Sequence, residues 1–466
     1  MYCRLLCGMA FAVALSAPLP SHAQDTELGK IREELRQLKE VYERRIQALE
    51  QRLQQTEAKA GKVDEAAPLA AAQASSRPAG ENAFNPALSV ILNGTLGNLK
   101  RDPNAYRING FVPTMGEVSP PARGLSLGES ELVLSASVDH LFRGALIAAV
   151  APGGGIEVEE GYVQTLGLSS GFTIKAGRFF SGVGYQNAVH AHAWDFTDAP
   201  LASKAFLGGQ LAEDGIQVKW VAPTELYVDL GLELGRGRKF PGGPDGGRSK
   251  NGFGSGTLFT HAGGDLGAST AWQLGASHLR TSPQGRGYDD VDSTGTAVNN
   301  RFTGRSRLWG IDGILKWAPN GNATSTSLKL QGEYFRRTES GALTYDTQAA
   351  SLGTQTGSYR SKQSGWYAQG VYQFMPQWRV GYRYDRLSSG TTSIGLVAPG
   401  LLSAADFPVL GAYNPRRNSV MLDWSPSEFS RWRLQFARDY SRLGVPDNQV
   451  FLQYVMSLGA HGAHKF

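Results

Sequence analysis

Two histidines, His190 and His192, sit two residues apart in the run VHAHAWDFTDAPL, which also holds Trp194, Asp195 and Asp198. On an extended backbone, residues i and i+2 project to one side. Imidazole nitrogen with carboxylate oxygen is a donor set suited to zinc, and tetrahedral sites take three or four ligands. His190, His192 and Asp195 therefore make a partial shell with room for water, and weakly bound zinc is the one cofactor the spacing suggests. The plainer reading is structural: the rings hydrogen-bond to nearby backbone and fix the local shape. His461 and His464 form a second pair near the C-terminus. No other cofactor is expected, and the chain has no G-x-S-x-G, H-E-x-x-H or P-loop pattern. It does not read as an enzyme.

The remaining charged residues that stand out come in strand-like alternation. Arg379 and Arg383 share one face of a segment, as do Arg431 and Arg433 of another. Glu225, Asp229 and Glu233 share the polar face of a third, whose other face carries Leu226, Leu230 and Leu234. Such faces do chemistry only if the elements carrying them enclose something.

From Phe84 onward the pattern has a period of two, apolar on one face with aromatics at the ends and charged on the other. Short links (Asp139-His140, Ser169-Ser170, Ala222 to Thr224, Gly263 to Asp265, Pro319 to Gly321, Pro376, Pro426-Ser427) interleave with long ones. The long ones run over 97–126, 181–214, 236–251, 281–305, 339–362 and 389–414. Short turns on one rim and long loops on the other mark an outer-membrane barrel. The fold class is all-β: a closed antiparallel transmembrane barrel of about 16 strands over 84–466, with lipid against its apolar face. Leu230, Tyr382 and Leu434 are expected to face lipid, and Asp229, Arg379 and Arg433 the lumen.

One long link is unlike the others. GFTIKAGRFF alternates as a strand, but 181–215 does not, although it is rich in Trp, Phe, His and Asp. A structureless stretch of that length between regular strands is usually functional. It reads as a loop folded into the lumen, with His190, His192, Trp194, Asp195 and Asp198 at the constriction. Arg379, Arg383, Arg431 and Arg433 form a basic wall across from it. Acids facing a basic wall set a transverse field that filters solutes by charge, whereas Glu225, Asp229 and Glu233 form an acidic wall beside the loop.

The N-terminal part is organised differently. Residues 1–23 read as a signal peptide: Arg4, an apolar core from Leu5 to Leu15, and the small-x-small site Ser21-His22-Ala23. Both cysteines, Cys3 and Cys7, lie within it, so the rest of the chain has no thiol for a disulfide or a metal. Residues 24–60 read as a coiled coil. Leu28, Ile31, Leu35, Leu38 and Tyr42 follow the three-four spacing, and Ile46, Leu49 and Leu53 continue it after a stutter. A helix with one apolar stripe needs a partner, so self-association is expected. Peptidoglycan or a periplasmic protein is the other partner considered. Residues 61–83 form an Ala, Gly, Pro and Ser linker. A net charge of +5 at pH 7 is too mild to imply nucleic acid.

These segments resemble known families. The barrel resembles the trimeric porins of Gram-negative outer membranes, the phosphate-selective group in particular, whose Gly-Arg-Phe strand before an inward loop is similar to KAGRFFSGVGYQN. The N-terminal coil is similar to that of some sugar porins. FNPALSVILNG, RGLSLGESEL, HAHAWDFTDAPL and LQYVMSLGAHGAHKF are similar to blocks of an outer-membrane family labelled zinc-regulated or TonB-dependent receptor. The TonB part of that label does not carry over, because such receptors have a plug domain and a barrel of about 22 strands. The terminal Phe466 resembles the signal read by the barrel assembly machinery.

The resemblances imply a porin-like channel of the outer membrane, a homotrimer with its coil in the periplasm, passing small hydrophilic solutes or ions passively. The alternatives are a metal-linked uptake channel for zinc or a zinc complex, and a structural barrel that anchors a periplasmic coil.

Overall fold

The computed structural model describes residues 87–459 except 115–117, 151–154, 244–251 and 398–399. All of them belong to a compact unit spanning Phe84–Phe466. The expected signal peptide, coiled coil, linker and C-terminal Phe466 lie outside the described residues.

Eighteen strand segments form a single antiparallel sheet. They are β1 (Ala87–Leu99), β2 (Gly124–Leu127), β3 (Ser130–Ser137), β4 (Phe142–Val150), β5 (Ile156–Thr165), β6 (Phe172–Phe180), β7 (Ala212–Val221), β8 (Tyr227–Gly235) and β9 (Ser255–Leu266). The series continues with β10 (Thr270–Thr281), β11 (Arg286–Val291), β12 (Ala297–Trp317), β13 (Ser327–Tyr345), β14 (Gln355–Met375), β15 (Trp378–Ile394), β16 (Arg416–Ser427), β17 (Ser430–Asp439) and β18 (Asp447–Gly459). Two of the staves are interrupted. β2 and β3 both pair with β1, and β10 and β11 both pair with β12, so the sheet has sixteen staves. β1 closes on β18, in register from Ser89 opposite Gly459 to Leu99 opposite Gln449. The sixteen-strand expectation holds.

The alternation is resolved as expected, with the apolar face outward. In β8, Leu230 is 48% exposed while Asp229 and Glu233 are 1% and 2% exposed. Tyr382 and Leu434 likewise point outward. Trp317, Trp424 and Trp432 lie on the outer face beside the short turns, and the Trp378 and Trp424 rings stack at 6.0 Å. A barrel with leucine outside and carboxylates inside is the reverse of a soluble core, and it suits a hydrocarbon surround with aromatic girdles.

Several boundaries differ from expectation. Gly263 to Asp265 lie within β9, and β16 runs through Ser427, so those turns fall a few residues later. The long links over 281–305 and 339–362 are largely strand, because β12 to β15 run for 17 to 21 residues. About 9–11 residues suffice to span a bilayer, so these hairpins extend past it on the long-loop side. An apolar cluster keeps them paired there: Phe302, Leu343, Tyr345 and Tyr359 pack with Leu396, Phe407 and Leu410 of the 395–415 connection.

The connection between β6 and β7 goes the other way, into the barrel. β7 begins at Ala212, so the connection is 181–211 rather than 181–215. It contains a seven-residue helix, α1 (Leu201–Leu207), all of whose residues are buried. Gly208 ends the helix at φ 72°, a left-handed value that favours glycine at this capping position. Val183, Leu201, Phe206 and Leu211 pack against Leu279, Leu308, Phe335 and Leu387 of the staves.

Candidate functional site

The neck of the connection is tied first. Ser181 N–H donates to Leu211 O at 2.9 Å, and the Asn187 side chain bridges both strands of the neck, donating to Ser181 O at 2.8 Å and accepting from Leu211 N–H at 2.6 Å. Glu233 on β8 accepts from Ser181 Oγ at 2.5 Å and from Gly182 N–H at 2.9 Å. This member of the acidic wall is therefore an anchor for the connection. Asp229, on the same wall, is paired with His261 at 2.8 Å and Lys219 at 2.9 Å. Glu225 departs from expectation. It lies in the exposed turn between β7 and β8 and not on the lumen face, because the strand pairing starts only at Tyr227.

Beyond the neck the connection crosses to the opposite staves, where its acids meet the basic wall directly. Asp195 contacts Lys329 at 2.8 Å and Arg379 at 3.4 Å. Asp198 contacts Lys204 at 2.9 Å, Arg383 at 3.2 Å, and Arg417. Arg383 also donates to the Asp198 carbonyl at 2.8 Å, and Arg431 donates to the His192 carbonyl at 2.6 Å. Arg433 is held by Asp423 at 2.8 Å, and Asp423 also accepts from Arg379 at 2.5 Å. Trp194 donates from Nε1 to Val189 O at 2.7 Å, which folds the connection on itself.

The expected residues are thus brought together, but not across an open gap. Acid and base touch, so a transverse field spanning free lumen is not what the contacts describe. They describe a clamp. Buried charge is tolerable only when paired and hydrogen-bonded, and Arg383, Arg417, Arg433 and Lys204 are each 1% exposed or less. Asp198 lies on the connection, outside the spanning strands. Burial pushes its carboxyl up, but Arg417, then Lys204 and Arg383, hold it well below its ordinary value.

The rings of the two histidines turn toward β3 and β5. Their rings stack at 5.8 Å, as the i, i+2 spacing suggested, although residues 191–193 form a 3₁₀ turn. Neither meets Asp195, which is engaged by the basic wall. They meet glutamates instead. His190 Nδ1 is 3.3 Å from Glu159 and Nε2 is 3.1 Å from Glu160, and His192 Nδ1 is 2.6 Å from Glu131. Burial lowers the His190 pKa, but the hydrogen bonds to Glu159 and Glu160 outweigh it and push it up to about 10. A cavity of about 460 Å³ lies between this part of the connection and staves β1 to β6, lined by Glu157, Glu159, Arg178, Ala191 and Trp194 among others.

Sequence reasoning missed Glu131, Glu159, Glu160, Arg417 and Lys204. The run IEVEEGY carries a signal, since its glutamates cluster on a strand otherwise expected to alternate. Arg417, next to Arg416 at a strand start, carries none.

No family model matches the chain. It is 29% identical over 420 residues to an uncharacterised protein of Aquifex aeolicus (strain VF5), across 84% of this chain and 81% of that one. Among solved structures it is similar to a loop-deletion form of OmpT, an outer membrane protein of Vibrio cholerae, at 10% identity and a TM-score of 0.49, covering 81% of this chain and 100% of that one. It is also similar to the outer membrane channel DcaP of Acinetobacter baumannii, at 11% identity and a TM-score of 0.47, covering 80% and 97%.

Proposed function

We infer that this chain is a porin-like channel of the outer membrane that passes small hydrophilic solutes or ions passively, with the connection 181–211 as its constriction. The observation that carries the reading is the connection itself. It enters a closed barrel whose outer face is apolar, and it is held there by Asp195 and Asp198 against the basic residues of β13, β15 and β16. A charged segment at this depth needs a polar lumen, as water-filled barrels have. The cavity next to Glu159 and Trp194 offers room for water beside the segment. The same reading takes outer-membrane lipid around the barrel, insertion by the barrel assembly machinery, and homotrimer assembly, for which the sequence expectation of a coiled coil over 24–60 is the support. The test is liposome swelling with the full chain in neutral solutes of graded size. Small sugars should enter and larger oligosaccharides should not. Absence of swelling with every solute favours the structural-barrel alternative.

The metal-linked alternative is favoured by one observation, the meeting of His190 with three glutamates beside that cavity. Its ligand set is not the expected His190, His192 and Asp195.

A further inference from the structure

The cluster around His190 is left unused by passive diffusion. It draws Glu131 from β3, Glu159 and Glu160 from β5, and His190 from the connection. His190 Nδ1 lies 3.4 Å from Glu131 Oε2 and 3.3 Å from Glu159 Oε2. One donor atom each from Glu131, Glu159 and His190 fall within 4.8 Å of one another. A tetrahedral shell with bonds of about 2.1 Å has edges of about 3.4 Å, so two of the three separations already match.

A second observation points to a missing ligand. Glu131 is 1% exposed, and its Oε1 is occupied by His192 at 2.6 Å. Its Oε2 faces the cluster centre and has no hydrogen bond among the described residues, its nearest cationic neighbour being His190 Nδ1 at 3.4 Å, a nitrogen that lies closer to Glu159. A buried carboxylate oxygen so weakly served is costly, and a cation bound between the three side chains lowers that cost. The His192–Glu131 pair also resembles the outer contacts that orient metal ligands. Glu159 and Ala191 line the cavity, which gives an ion and its remaining waters a route.

We propose that Glu131, Glu159 and His190 bind one divalent transition-metal ion, with water from the cavity completing the shell and with His192 and Glu160 orienting the ligands. One imidazole with two carboxylates suits zinc and its neighbours, while magnesium prefers oxygen ligands and holds its waters. Binding displaces protons from such a set. Asp195 takes no part.

The experiment is isothermal titration of the full chain, folded in detergent micelles, with zinc chloride and separately with magnesium chloride. Heat-modifiable migration in gels confirms that each variant holds a folded barrel. One saturable zinc site is expected, with no magnesium binding at the same concentrations. His190→Gln and Glu159→Gln should each weaken zinc by about tenfold or more, and His140→Gln, at an exposed histidine of the β3–β4 turn, should leave it unchanged. Four results overturn the assignment: no saturable zinc site up to millimolar, equal affinity in wild type and both cluster variants, magnesium binding as tightly as zinc, or loss of the site in His140→Gln. The readout is equilibrium binding and needs no open pore, so its failure leaves the channel reading standing.

Discussion

Asp198 holds three cations, Lys204, Arg383 and Arg417, in a place where none of the four is more than 7% exposed. Removing its charge strands the others, and breaking a buried pair from one side costs about 3–5 kcal/mol. Asp198→Asn should therefore lower unfolding stability by that order in urea titrations and open the connection to protease. Asp195→Asn should do less, because Lys329 and Arg379 keep 26% of their side-chain surface exposed. Acid should mimic the first variant. A carboxyl held below its ordinary 3.8 contributes stability that is complete above that pH and lost as pH falls beneath it. Protease sensitivity of the connection should thus stay flat from neutral down to about pH 4 and rise only below. At this scale the sequence was half legible. Loop acids and wall arginines could be matched by type, but Asp198 and Arg383 are 185 positions apart, and the sequence does not say that they touch. For the same reason the partners of His190 were mistaken. Asp195 is near in sequence, whereas Glu131 and Glu159 are near in space.

The strands were the most legible elements, since a period of two survives in any strand with one face in lipid and one in water. β8 shows this most simply, and it makes a direct prediction. Leu230→Arg should cost about 2–4 kcal/mol in lipid if the residue lies near the bilayer midplane. Leu230 is 48% exposed on the bare barrel, so the same substitution in a soluble fold would cost little. Folding yield into liposomes measures it. Strand ends were less legible. The extensions of β12 to β15 look like loop sequence because they leave the membrane, and their pairing depends on the apolar cluster with 395–415. Helix α1 was invisible for a related reason. Seven residues are too few to hold a helix alone, and LASKAFL is helical because every one of its side chains is buried against the lumen wall or the rest of the connection.

For the whole molecule, closure, the direction of the faces and the inward course of one connection were all readable from pattern. How far that connection fills the lumen was not, because it depends on contacts summed around the barrel. The proposed channel requires residues 181–211 to be its narrow point. Unit conductance in planar bilayers tests it most directly, comparing the full chain with a form in which residues 188–208 are replaced by a short Gly-Ser bridge. Asn187 and Leu211 stay in place so that the neck still closes. A folded barrel with a distinctly larger unit conductance than wild type is expected. A folded variant that conducts no more than wild type would contradict it.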